Sequence, residues 1–128
     1  MTTSYTYDGS GNLTRIDYPT IVNAVTGGST SPVELFIYDG QGRVTAHTSP
    51  EGGTTSTEYD GSGGLPSSIT AAGRSRAETF SYDTMGNPTS HKAPESGTGT
   101  TTTYDGLYRV TKTTAPPGDQ GSAETSYE

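Results

Sequence analysis

Polar and aromatic residues alternate in short stretches such as "SYTY" and "TFSY", while "LFIY" is apolar throughout; residues of these types favour extended strands. Each stretch ends in Tyr followed by an acid. An Asp there starts a type I turn, and a Gly after the two central residues supplies the positive φ of a short hairpin loop with a bulge. A second strand follows in "LTRIDY", "RVTAHT", "LPSSIT" and "RVTKTT", and links rich in Pro and Gly lead to the next Tyr. The pattern predicts β-hairpins and no helix.

The Tyr-acid pair recurs at Tyr7, Tyr38, Tyr59, Tyr82, Tyr104 and Tyr127, with separations of 31, 21, 23, 22 and 23 residues. The long first interval holds the extra segment "TIVNAVTGGSTSPVEL". The units share the form Tyr-Asp-x-x-Gly-x-apolar-Thr, in which Tyr108 replaces the Gly of the fifth and Pro88 the apolar residue of the fourth. The predicted turn residues are Asp8 and Gly11, Asp39 and Gly42, Asp60 and Gly63, Asp83 and Gly86, and Asp105. Two short strands cannot bury a face alone, so neighbouring units are expected to complete one another. The expectation is an all-β fold of stacked antiparallel hairpin repeats, a β-spiral or solenoid. Residues 1–128 form a single array of five units, and a sixth starts at Tyr127. The repeated tyrosines should form a ladder, with Tyr5, Phe36 and Phe80 two residues earlier on the same face.

Composition sharpens this picture. Only 27% of residues are hydrophobic and the net charge is -7, values that lean toward disorder. Nine Tyr and abundant Thr argue for strands instead, which points to an all-β chain with a thin core. The acidic balance repels phosphate backbones and excludes nucleic acid as the expected partner. No apolar run approaches the roughly 20 residues that span a bilayer, so no membrane insertion is expected. There is no Cys for disulfides or thiolate metal sites.

Candidate chemistry is sparse. A calcium loop needs several alternating oxygen side chains, whereas each turn offers one carboxylate, so the aspartates read as turn formers and no metal or cofactor is expected. His47 and His91 lie near Glu51 and Glu95 in sequence, but no placed nucleophile accompanies them, and they read as exposed histidines rather than catalytic ones. No catalytic residue is expected. Asn12 to Thr14 form a glycosylation sequon that reads as a plain turn, and the Thr and Ser runs read as strand.

The motif resembles the YD-repeat or RHS-repeat family, whose repeat reads Tyr-Asp-x-x-Gly-Arg-Leu/Val-x. "YDGQGRVT" at 38–45 fits throughout, "YDGSGNLT" at 7–14 departs at Asn12, and "YDGLYRVT" at 104–111 departs at Tyr108. The resemblance implies a hairpin spiral, an extracellular or cell-surface setting and a scaffold role. In the family such spirals build shells in bacterial toxins and animal adhesion proteins, which use many more repeats than this chain has. Neither end looks like a polar cap. The leading expectation is therefore a structural subunit of an extracellular filament or surface layer. It would polymerise head to tail through ends at Tyr5, Tyr7, Thr125 and Tyr127, with other copies of itself as partners. The alternatives are a piece of a longer RHS-type shell, or a module that binds cell-surface glycans or a receptor.

Overall fold

The computed structural model describes residues 2–61, 64–116 and 124–127, and every regular element among them is a strand. Five hairpins follow the motif: β1 (Ser4–Tyr7) with β2 (Leu13–Asp17), β5 (Val33–Tyr38) with β6 (Val44–Thr48), β7 (Thr54–Tyr59) with β8 (Pro66–Thr70), β9 (Glu78–Tyr82) with β10 (Pro88–Lys92), and β11 (Thr100–Tyr104) with β12 (Val110–Thr114). The extra segment forms a small hairpin of its own, β3 (Ile21–Val22) with β4 (Ser29–Thr30). A last short strand, β13 (Glu124–Ser126), pairs with β12. Hydrogen-bonded neighbours order the main sheet as β1-β2-β5-β6-β7-β8-β9-β10-β11-β12-β13. Antiparallel hairpin repeats are the fold.

The described chain groups into two compact units, residues 1–57 with 71–73 and residues 58–70 with 74–128. The first holds β1 to β6, most of β7 and the small hairpin. The second holds β8 to β13.

The turns explain the hairpins. In four of them the Asp carbonyl accepts from the N–H three residues on, and the Asp N–H donates to the carbonyl four residues on, as in Gly42 to Asp39 at 3.1 Å and Asp39 to Arg43 at 2.9 Å. The residue at the Gly position sits at φ 79° in Gly42, and Tyr108, which replaces Gly, is held at φ 60°. That left-handed region costs a residue with a Cβ about 1–2 kcal/mol. The ladder then shifts register at the motif Tyr, between Thr6 and Tyr7, Ile37 and Tyr38, and Thr103 and Tyr104. The motif Thr closes this bulge: the hydroxyls of Thr14, Thr45 and Thr111 donate to the carbonyls of Thr6, Ile37 and Thr103 at 3.2, 3.3 and 3.1 Å.

The third turn is one residue longer. There the Asp60 N–H donates to the Leu65 carbonyl, five residues on, at 2.9 Å, so Pro66 takes the place that Leu13 and Pro88 hold in their hairpins. Gly64 has φ 69°; Gly63, the expected turn residue, lies outside the described residues, as does Glu128.

Alternation decides the faces. Glu34, Phe36 and Tyr38 are half-buried on one face of β5, and Leu35 and Ile37 are exposed on the other. Thr55, Thr57 and Tyr59, then Glu78, Phe80 and Tyr82, then Thr100, Thr102 and Tyr104 repeat the same division. Among the described residues no side chain is fully buried. Sequence suggests stacked units around a thin core. Within each unit the stacking takes the form of hairpins joined edge to edge through backbone hydrogen bonds.

Candidate functional site

With no fully buried side chain among the described residues, what joins one hairpin to the next is the feature a function can rest on. The motif's Asp shapes the turn, and its Tyr makes such a joint at Tyr38, Tyr82 and Tyr104. The Asp carboxylate acts as a clip: Oδ1 of Asp39 accepts the N–H of Gln41 and of Arg43 at 2.9 and 3.0 Å, and Oδ2 accepts Arg43 Nε at 2.7 Å. Asp105 does the same with Leu107 and Arg109. Asp8 and Asp83 use Asn12 and Asn87 in place of Arg, with both Nδ2 donors within 2.9 Å. Asn12 departs from the family pattern in sequence yet serves as the same donor.

These contacts favour the charged carboxylate. The Asn12 side chain, acting with backbone N–H donors, holds Asp8 below the usual carboxylate range, and Asn87 does so for Asp83. The backbone N–H of Arg43 leads for Asp39, and that of Arg109 for Asp105, with the guanidinium adding to each.

The tyrosines latch hairpins together. Tyr38 donates its hydroxyl to the Leu13 carbonyl at 2.7 Å, Tyr82 to Pro66 at 3.0 Å, and Tyr104 to Pro88 at 2.9 Å. In each case the acceptor is the first residue of the preceding hairpin's return strand. Proline is tolerated there because a strand's first residue need not donate, and its carbonyl remains free to accept. Backbone pairing at the joints is equally regular. Ile16 faces Glu34, His47 faces Thr55 and His91 faces Thr100, so the residue nine after one Tyr opposes the residue four before the next. Ile69 facing Glu78 obeys the same rule once the longer third turn is counted.

Two ends of the ladder differ. Tyr5 and Tyr7 lie on β1, which among the described residues pairs only with β2, and they are 57% and 59% exposed. Tyr127 was expected to take a sixth ladder position. β13 instead pairs two residues out of that register: Thr113 faces Thr125, and the Tyr127 N–H donates to the Thr111 carbonyl at 2.9 Å. A shift of two keeps Tyr127 on its face but moves its ring off the latch position, where it is 56% exposed.

A second pattern spans two repeats. Phe36 stacks on His47 at 4.8 Å between ring centroids, and His47 Nε2 lies 2.6 Å from Glu34 Oε1. Phe80, His91 and Glu78 repeat this arrangement at 5.1 and 2.6 Å. The carboxylates partnering the histidines thus come from the preceding strand, not from Glu51 and Glu95. Glu95 binds Arg74 at 2.7 Å. Glu34 also accepts the Tyr18 hydroxyl at 2.6 Å, which lowers the proton affinity of Glu34 and raises that of Tyr18. Among the described residues no three His, Asp or Glu side chains converge as a metal site requires.

In the first unit, a cleft of about 630 Å³ lies beside the small hairpin, lined by Tyr18, Pro19, Ile21, Val22, Pro32 and Pro50, with Thr20 and Glu51 also present.

These joints define a class: arrays of antiparallel β-hairpins joined edge to edge in a repeating register. Residues 38–76 match the RHS Repeat family. In solved structures the same fold occurs in a TcdB2–TccC3–Cdc42 complex, with a TM-score of 0.64 and 17% identity over 88% of this chain. It occurs again in the Tc holotoxin pore of Photorhabdus luminescens, with a TM-score of 0.54 and 16% identity over 88% of this chain. The chain spans 6% and 7% of those two chains. No curated protein is significantly similar in sequence.

Proposed function

We propose that the chain is a structural scaffold that grows by adding hairpins of its own kind, in an extracellular or cell-surface setting, and that it catalyses no reaction. The observation that carries this reading is the recurrence of one joint, a tyrosine hydroxyl on the preceding return strand with a constant backbone register. Such a joint can be repeated indefinitely, because each hairpin presents the edge that the next one uses. The RHS Repeat match at residues 38–76, and the occurrence of a similar fold as a small part of much longer chains, support a role as one stretch of repeats in a larger assembly. A head-to-tail polymer of the chain is the finer form of the same reading, with other copies as partners.

Light scattering coupled to size separation, with electron microscopy of the largest species, tests growth. The reading expects mass to rise with concentration in steps of one chain, more readily at high salt, where the repulsion between chains of charge -7 is screened. A folded monomer at every concentration, with its terminal strands intact or disrupted, would contradict it.

The cleft beside the small hairpin favours a second reading, a binding module. Three prolines with Ile21 and Val22 suit an apolar side chain better than a glycan, which needs convergent polar groups. Chemical-shift changes confined to Tyr18, Ile21 and Val22 on adding proline-rich or glycan probes would support it, and their absence would remove it.

A further inference from the structure

In the joints described above, a return strand is followed by the first strand of the next hairpin, four residues before the next Tyr facing nine after the last. The return strand β12 departs from this rule. Its free side is taken by β13, which is three residues long, two residues out of register and exposed at every position. Among the described residues no tyrosine hydroxyl is donated to the Val110 carbonyl, the counterpart of Leu13, Pro66 and Pro88. One ion pair between exposed side chains, Lys112 with Glu124 at 2.9 Å, accompanies the pairing. Pairs of that kind contribute little.

The complementary element is β1. It is a first strand whose outer side pairs with no other strand among the described residues, and Tyr7, at the latch position, has no hydroxyl acceptor among them. Laid on β12 in the register of the other joints, Ser4 would face Lys112, Thr3 would face Thr113 and Thr2 would face Thr114. The Tyr7 hydroxyl would then meet the Val110 carbonyl. Two Thr-Thr pairs and an aromatic latch replace three weakly held residues.

We propose that the free side of β12 is a docking edge for β1 of a second copy of this chain, and that β13 is its provisional occupant, displaced when the copies join. This rests on the scaffold reading and specifies which edges meet. It also places the control of growth in β13: the strand lowers the availability of the edge without abolishing it, and protects an otherwise unpaired strand from indiscriminate pairing.

Two substitutions in the full chain test it. Thr125→Pro removes the β13 N–H opposite Thr113 and should free the edge. Tyr7→Phe removes only a hydroxyl that has no partner among the described residues, and should leave the monomer's stability unchanged. Light scattering should show Thr125→Pro assembling at about tenfold lower concentration than the parent, and Tyr7→Phe in that background reversing most of the gain. Assembly by Thr125→Pro that is no better than the parent's would overturn the proposal, because β13 would then be the joining strand or irrelevant. Easier assembly that ignores Tyr7→Phe would also overturn it, pointing to another pairing such as β1 on β1. In either case growth of the parent would leave the scaffold reading standing, whereas absence of growth in all variants would remove both.

Discussion

An aspartate clip that accepts two backbone N–H groups and one side-chain donor ties each regular turn to a charged carboxylate. Asp8, Asp39, Asp83 and Asp105 hold their protons less tightly in the folded chain than in an unfolded one. The stability they contribute is therefore fully present above the unfolded value of about 4, and is lost as pH falls through the lower folded values. Urea denaturation at pH 7 and pH 3 should show a lower midpoint in acid. Replacing all four by Asn should flatten that dependence, and an unchanged acid loss would contradict the assignment. Tyr108 offers a second test, since Gly there relieves a left-handed residue: Tyr108→Gly should raise stability by up to about 1 kcal/mol, while Gly42→Ala should lower it by about 1 kcal/mol or more. The turn roles of Asp and Gly are legible in sequence because they are local, set within five residues. The donor role shared by Asn12, Arg43, Asn87 and Arg109 is not, because Asn and Arg look unlike until both are seen reaching the same oxygen.

At the level of strands, the latch is the testable feature. Tyr82→Phe deletes one hydrogen bond between β9 and the head of β8 and should cost about 0.5–1.5 kcal/mol. Tyr7→Phe, with no such bond to lose, should cost nothing measurable by the same denaturation. Backbone approach supplies a further contrast: a Cβ on Gly99 would lie 2.5 Å from the His91 carbonyl oxygen, whereas one on Gly106 would meet nothing within 4 Å. Gly99→Ala should therefore cost about 1–3 kcal/mol by forcing β10 and β11 apart, and Gly106→Ala should stay within about 0.5 kcal/mol of the parent. Hairpin positions and the bulge at Tyr follow from the motif's spacing. The latch does not, because donor and acceptor lie in different repeats, 25 residues apart for Tyr38 and 16 for Tyr82. The longer third turn is hidden by "GSGG", where either glycine satisfies the pattern, and the pairing of His47 with Glu34 is hidden because sequence proximity favours Glu51.

For the chain as a unit, scarcity of apolar residues is answered by regular edge joints instead of by burial. A composition that leans toward disorder folds here because Thr, Ser and Tyr satisfy one another and the backbone across strands, as in the Thr48–Thr54 and Thr103–Thr111 hydroxyl contacts at 2.9 and 3.0 Å. The repeat, its length and its all-β character are plain in the sequence. The lack of any fully buried side chain among the described residues and the offset of β13 are not, since both depend on how strands register rather than on which residues form them. Equivalent joints between repeats are what hold such an array together, and amide hydrogen exchange read strand by strand probes each joint separately. The paired amides of β5, β9 and β11 against their preceding return strands should show comparable protection, with fast exchange in β13 and on the free side of β1. Exchange at those joints as fast as in an unfolded chain, with protection only inside individual hairpins, would mean that the joints do not hold the array.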